Sequence, residues 1–178
     1  IDFVDLTAIV RKDWTLAFCD DLKRRNLKIP WQLPSGTRSE ALDEEVLQAL
    51  YDTGCRLITY APESASEETL RQIKKKIKID RLVESIRTAN KIGHTTKVNI
   101  VIGFPEDTLA SIFKSAWFAV KMALYGSEDC TFTKFSPYPG SELYRRLRNE
   151  GKILFLSKII RLSFMIIKFS NVCPSFGK

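Results

Sequence analysis

Asn99-Ile-Val-Ile-Gly-Phe-Pro-Glu-Asp-Thr108 carries a short apolar run into a Gly-Phe-Pro stop, and an acidic turn then opens a helix. Upstream, Tyr60-Ala-Pro-Glu-Ser64 closes another apolar run, and downstream Phe135-Ser-Pro-Tyr-Pro-Gly-Ser141 closes a third. Each stretch puts polar or backbone-exposing residues at a strand end, just before a helix. In parallel α/β folds ligands collect at the carboxyl ends of the strands. The three endings therefore mark one candidate site.

Around them the hydrophobic pattern alternates strand with helix. Strands are read over 1–5, 29–33, 56–61, 96–102 and 131–136, and helices over 11–27, 67–76, 108–124 and 141–150. Asp43 and Asp80 are placed as caps of two further helices, which Gly54 and Gly93 end. In helix 108–124, Ile112, Ala116, Val120 and Ala123 are expected to face inward. The alternation implies an α/β fold with a parallel sheet and right-handed crossovers, its strands buried on both faces. A full eight-unit barrel needs about 250 residues. The 178 present predict an open sheet or part of a smaller barrel.

The formal net charge of +7 fits nucleic acid, an anionic cofactor or an anionic surface as a partner. Its densest run is Lys74-Lys75-Lys76-Ile77-Lys78, which also suits a solvated helix end. Cys19, Cys55, Cys130 and Cys173 lie too far apart in sequence for a metal clip and do not read as a disulfide framework. They suit a reducing, cytoplasmic compartment. His94, the single histidine, is expected in a surface loop. The start lacks a basic segment followed by an apolar one, so no secretory signal is read, and Ile1 opening a strand-like run reads as a fragment.

The tail from Ile153 changes character. Ile153, Leu156, Ile160, Phe164 and Ile167 share a helical face, with Lys158, Arg161 and Lys168 interrupting the apolar run. It lacks the roughly 18 uncharged residues of a spanning helix. We expect residues 1–152 to form the barrel part and 153–178 a helical tail, packed on the barrel or on a missing domain, or lying in a membrane interface as a peripheral contact.

Three residue readings bear on chemistry. Glu63 follows an apolar strand directly, so its carboxylate is placed to receive an ammonium group or to cap a helix. Asn99 sits inside an apolar run, where an unpartnered amide costs about 1–3 kcal/mol. Neighbouring backbone is the simpler way to satisfy it, and a polar ligand on the sheet is the alternative. Gly103 permits close approach of a ligand or of another chain segment, and Pro137-Tyr-Pro-Gly140 is a rigid turn with exposed carbonyls.

Ser35-Gly-Thr-Arg38, the Tyr-Ala-Pro-Glu-Ser end, the Gly-Phe-Pro-Glu-Asp-Thr end and Ser136-Pro-Tyr-Pro-Gly-Ser-Glu-Leu-Tyr144 occur in one order. That order resembles the third to sixth strands of the radical S-adenosylmethionine (radical SAM) enzymes, whose fold is a TIM-like (β/α)6 partial barrel. The resemblance covers about residues 1–153 and implies that the family's first strand and cluster loop are missing from this chain. Gly54-Cys-Arg56 and the Lys-rich helix resemble the cobalamin-associated branch, which includes the anaerobic magnesium-protoporphyrin IX monomethyl ester oxidative cyclases.

The resemblance implies a set of site residues. Glu63 would bind the methionine end of SAM, and Lys75, twelve positions on, would meet its carboxylate. Arginine is usual there, and lysine supplies charge without a bidentate fork. Asn99 would contact the ribose. Backbone near Gly103, Ser136 and Pro137 would flank adenine, and Ser35 and Arg38 would help at the third strand. The family's [4Fe–4S] cluster uses three cysteines in a Cys-x-x-x-Cys-x-x-Cys loop, which this chain lacks and which is expected upstream.

The implied function is part of an iron–sulfur enzyme that cleaves SAM to a 5′-deoxyadenosyl radical for hydrogen abstraction, as a cobalamin-dependent cyclase or methyltransferase. Implied partners are a small-molecule substrate and a reductant such as ferredoxin or flavodoxin. Nucleic acid is not expected, because the charge forms no surface interleaved with aromatics. The alternative is a noncatalytic truncated barrel acting as a binding or scaffold module.

Overall fold

The computed structural model describes residues 1–4, 9, 11–27, 29–37 and 42–151, together with the backbone of 165–168. Its elements run α1 (Lys12–Arg24), β1 (Trp31–Thr37), α2 (Glu44–Asp52), β2 (Cys55–Glu63), α3 (Glu67–Gln72) and α4 (Ile79–Ile92). They continue as β3 (Thr95–Ile102), α5 (Leu109–Leu124), β4 (Asp129–Lys134), α6 (Glu142–Asn149) and β5 (Met165–Lys168). One sheet holds them in the order β1-β2-β3-β4-β5, parallel from β1 to β4.

This strand order never reverses. Right-handed crossovers that always step the same way put every helix on the same face. That is barrel topology, in contrast to a doubly wound sheet. Ile58, Tyr60, Val98, Ile100, Cys130 and Phe132 form the helix-covered face and are buried. Tyr60 is clamped there by a 3.0 Å bond between its hydroxyl and Ser85 Oγ of α4. The other face carries Lys97, Asn99, Val101, Thr131 and Thr133, all half-buried. Burial on both faces, expected from the sequence, is therefore only partial on the concave side of the sheet, where Thr59 and Asp129 are buried but these five residues are not.

Most boundaries follow the local chemistry. Asp43 caps α2 through Val46 N–H at 3.0 Å. Gly93 ends α4 in the left-handed conformation. At Gly54, φ is 100°, and a Cβ would lie 2.5 Å from the carbonyl oxygen of Ile29. The first expected strand survives as one parallel bridge, Asp2 to Gln32, beside β1.

Four readings are corrected. Lys78, not Asp80, is the N-cap of α4, and Asp80 lies in its first turn. The inward face of α5 is Ser111, Ser115, Phe118, Ala119 and Met122, so Ala116 and Val120 face out. Apolar residues ring this helix, so periodicity alone could not choose its face. The choice leaves Leu109, Phe113, Trp117 and Leu124 more than half exposed.

His94 is buried rather than in a surface loop. Its Nε2 lies 2.9 Å from the Leu47 carbonyl, and its ring meets Tyr51 edge-on at 5.2 Å. Finally, residues 165–168 of the tail are strand, not helix, and pair antiparallel with β4. Met-Ile-Ile-Lys is β-prone, and an exposed strand edge offers unpaired backbone groups. The remainder of the expected tail helix lies outside the described residues.

Candidate functional site

β2 ends on a bulge. Tyr60 pairs with Val98, but Glu63 pairs with Ile100, so β2 carries one residue more than β3 across this step. Bulges re-aim side chains beside functional sites. Glu63 itself has φ 69°, a left-handed conformation that costs a non-glycine residue about 1–2 kcal/mol.

Lys75 reaches this end from the turn after α3. Lys75 N–H donates to the Leu70 carbonyl and Lys74 N–H to that of Arg71, the double bond of a Schellman motif. Lys74 takes the left-handed position, φ 59°, without being glycine. Of the three non-glycine residues with positive φ among the described residues, two therefore build this corner. The turn brings Lys75 Nζ to 2.6 Å from Glu63 Oε1 and 2.7 Å from the Ala61 carbonyl. Both side chains of the ion pair are about one-third exposed, at 32% and 30%.

Asn99 lies on the concave face of β3, in register with Thr131. It precedes Ile100, the partner of Glu63, and its amide makes no hydrogen bond to a described residue. Gly103, φ 84°, follows β3, and a Cβ built there meets nothing within 4 Å. Phe135 N–H donates to the Ile102 carbonyl at 2.8 Å, extending the β3–β4 pairing past its last ladder residue. Ser136 and Pro137 thus leave the sheet beside Gly103, and Phe104 packs on Phe135 at 4.8 Å. Glu63, Lys75, Asn99, Gly103, Ser136 and Pro137 share one end of the sheet.

Ser35 is tied elsewhere, its hydroxyl donating to the Val4 carbonyl at 3.0 Å. Arg38 lies outside the described residues. Gly36, beside Ser35, allows β1 to close on β2, because a Cβ there would sit 3.0 Å from Ala61 Cβ.

Asp107 was missed by sequence reasoning, which took it only as part of an acidic turn. Its Oδ2 accepts the N–H groups of Gly103 at 2.9 Å and Phe104 at 3.0 Å. Its Oδ1 accepts the hydroxyls of Thr69 at 3.1 Å and Ser111 at 2.9 Å. One carboxylate thus fixes the loop after β3 to α3 and α5. The signal was present: an aspartate four residues past a strand-end glycine can close its own loop through the freed N–H groups.

The described thiols are not metal ligands. Cys19, Cys55 and Cys130 are buried and free. Burial pushes the Cys55 and Cys130 thiols up to about 12. No group of three or more His, Cys, Asp or Glu among the described residues is placed to hold a metal ion. The described residues therefore do not fit an iron–sulfur cluster, which binds thiolates. A carboxylate and an ammonium flank one strand end, an unpartnered amide faces the concave side, and a glycine leaves open space.

Comparison with known proteins bears on the family and the fold. The family model of the radical SAM superfamily matches residues 12–116. An uncharacterized methyltransferase of Pyrococcus horikoshii is 30% identical over 144 residues, covering 81% of this chain and 30% of that protein. The anaerobic magnesium-protoporphyrin IX monomethyl ester cyclase of Rubrivivax gelatinosus is 21% identical over 144 residues, covering 80% of this chain and 25% of its own length. Among solved structures, the radical SAM methyltransferase TsrM of Kitasatospora setae, with cobalamin and a [4Fe–4S] cluster bound, superposes with a TM-score of 0.66. It is 13% identical and matches over 76% of this chain and 27% of its own, a likeness of fold. The chain thus spans about 30% of the length of the first of these relatives. It belongs to the radical SAM superfamily.

Proposed function

We propose that this chain forms the SAM-binding, carboxyl-side part of a radical SAM enzyme barrel. The observation that carries the reading is the Glu63–Lys75 pair, 2.6 Å apart on a strained strand end. The methionyl end of SAM is a zwitterion, so its ammonium complements Glu63 and its carboxylate complements Lys75. Asn99 would hold the ribose through its amide. Backbone groups after Gly103 and at Ser136 and Pro137 would flank adenine. Ser35, near the end of β1, would be a neighbour of the site, and Arg38 is kept only as the resemblance implies it.

When bound beside a reduced [4Fe–4S] cluster, SAM supplies a 5′-deoxyadenosyl radical for hydrogen abstraction. The described residues offer no ligands to that cluster, so the part assigned to them is to bind and orient SAM. The names of the relatives support a methyltransferase or cyclase reaction for the whole protein, and the use of cobalamin is suggested by the solved structure of like fold that holds it. A small-molecule substrate, a ferredoxin- or flavodoxin-type reductant and a cytoplasmic setting complete it. The three buried free thiols suit a reducing compartment. Among the described residues no helix is long and apolar enough to cross a membrane.

The test uses the intact protein. SAM binding is measured before cluster loading, and 5′-deoxyadenosine formation is followed after reconstitution with iron, sulfide and dithionite. Binding that Glu63→Gln weakens, followed by product formation, supports the reading. No SAM binding would favour the noncatalytic scaffold.

A further inference from the structure

The turn between α3 and α4 borders an open cavity of about 690 Å³, of which the SAM reading uses only Lys75. Six cations and two acids, Glu67 and Asp80, line it. Three of the cations are committed: Arg71 to Glu68 at 2.9 Å, Lys74 to Glu142 at 3.0 Å and Lys75 to Glu63 at 2.6 Å. The other three, Lys76, Lys78 and Arg81, make no ion pair or hydrogen bond to any described residue. Leu70, Ile77 and Ile79 give the same cavity an apolar lining.

The local backbone reinforces the charge. Lys78 is the N-cap of the 14-residue α4 and provides no side-chain cap. A cation at a helix N-terminus opposes the macrodipole and leaves the first N–H groups without a side-chain acceptor. An oxyanion among Lys76, Lys78 and Arg81 reverses both effects. The acids are few beside it, and both lie in the first turns of helices, where the dipole already favours them.

Size separates the possible ligands. A volume of about 690 Å³ matches a small-molecule site. No aromatic side chain lines the cavity, so the stacking platform of a single-stranded nucleic-acid groove is absent from it. Lys75 belongs both to this cavity and to the Glu63 pair, so the two sites touch.

We propose that Lys76, Lys78 and Arg81 bind the phosphate group of a small molecule next to the Glu63–Lys75 pair. That this molecule is the substrate partner of SAM rests on the reading under Proposed function; the anion site itself does not.

Inorganic pyrophosphate is the probe, titrated calorimetrically into the intact protein at fixed ionic strength. Three forms are compared: wild type, the triple variant Lys76→Ala/Lys78→Ala/Arg81→Ala, and a control with equal charge loss, Lys91→Ala/Lys114→Ala/Lys121→Ala. SAM binding is measured in parallel on each. The expected result is saturable pyrophosphate binding that weakens at least tenfold in the cavity variant and less than twofold in the control. SAM affinity in the cavity variant should stay within threefold of wild type. Equal weakening in both variants, or no saturable binding by wild type, overturns the proposal. Tighter binding of an oligouridylate through the same three residues overturns it in favour of a nucleic-acid surface. Loss of SAM binding in wild type sinks the SAM reading and leaves the anion result to stand alone.

Discussion

Lys75 Nζ bonds at once to the Glu63 carboxylate, at 2.6 Å, and to the Ala61 carbonyl, at 2.7 Å. One ammonium therefore holds both the backbone and the side chain of the β2 end. Charge-assisted hydrogen bonds of this type contribute about 1.5–3 kcal/mol. We expect Glu63→Gln and Lys75→Met each to weaken SAM binding by about 10- to 100-fold, while Lys75→Arg retains most of it. Equilibrium dialysis on the intact protein reads the effect. Loss of less than twofold in both deletions would remove the pair from the site.

The left-handed backbone at Glu63 predicts a separation of stability from binding. Glu63→Gly removes the φ 69° strain, whereas Glu63→Ala keeps it. The glycine variant should be about 1 kcal/mol more stable than the alanine variant, yet both should lose SAM affinity alike. Paired denaturation and binding curves check this. Equal stabilities would show that the strain is absent in solution.

Asp107 accepts four hydrogen bonds, from Gly103, Phe104, Thr69 and Ser111. Asp107→Ala should destabilise the fold by about 2–4 kcal/mol, because it leaves several donors unpaired. Asp107→Asn should recover part of the loss, since its single carbonyl oxygen replaces one of the two acceptor oxygens. Urea denaturation measures both. A cost below about 0.5 kcal/mol for Asp107→Ala would contradict the assigned role.

Burial pushes the His94 pKa down from its ordinary 6.5, and its Nδ1 finds no hydrogen-bond partner among the described residues. The folded chain therefore holds the proton less readily than the unfolded chain. Stability should be level above about 6.5, fall as pH drops from there toward the folded value, and level off below it. Thermal melts at about pH 7.5 and pH 5.5 should differ less in His94→Gln than in wild type. An identical acid loss in the variant would assign it to other groups.

With thiols at about 12, Cys55 and Cys130 are almost wholly protonated at neutral pH. Iodoacetamide should leave both unmodified in the native protein and label both in urea. Mass spectrometry reads the sites. Rapid native labelling of either would show that its strand end is open.

The sequence located the sheet end better than it located side chains. Gly-Phe-Pro after Ile102 and Pro-Glu-Ser after Ala61 both mark true strand ends, because their punctuation is local chemistry. The cap at Asp43 was legible for the same reason. The outward face of α5 was not, since Phe113 and Trp117 are as apolar as the residues that turned inward. The burial of His94 depends on a carbonyl 47 residues away, at Leu47, and no local pattern announces it. Nor could the bulge at Glu63 be read from β2 alone, because a register slip is a property of two strands.

The decisive measurement is a crystal structure of the intact protein grown with SAM. The account predicts its methionyl ammonium within about 3 Å of the Glu63 carboxylate, a hydrogen-bonding distance, with the ribose against Asn99. SAM bound away from the carboxyl ends of β2 and β3 would contradict it.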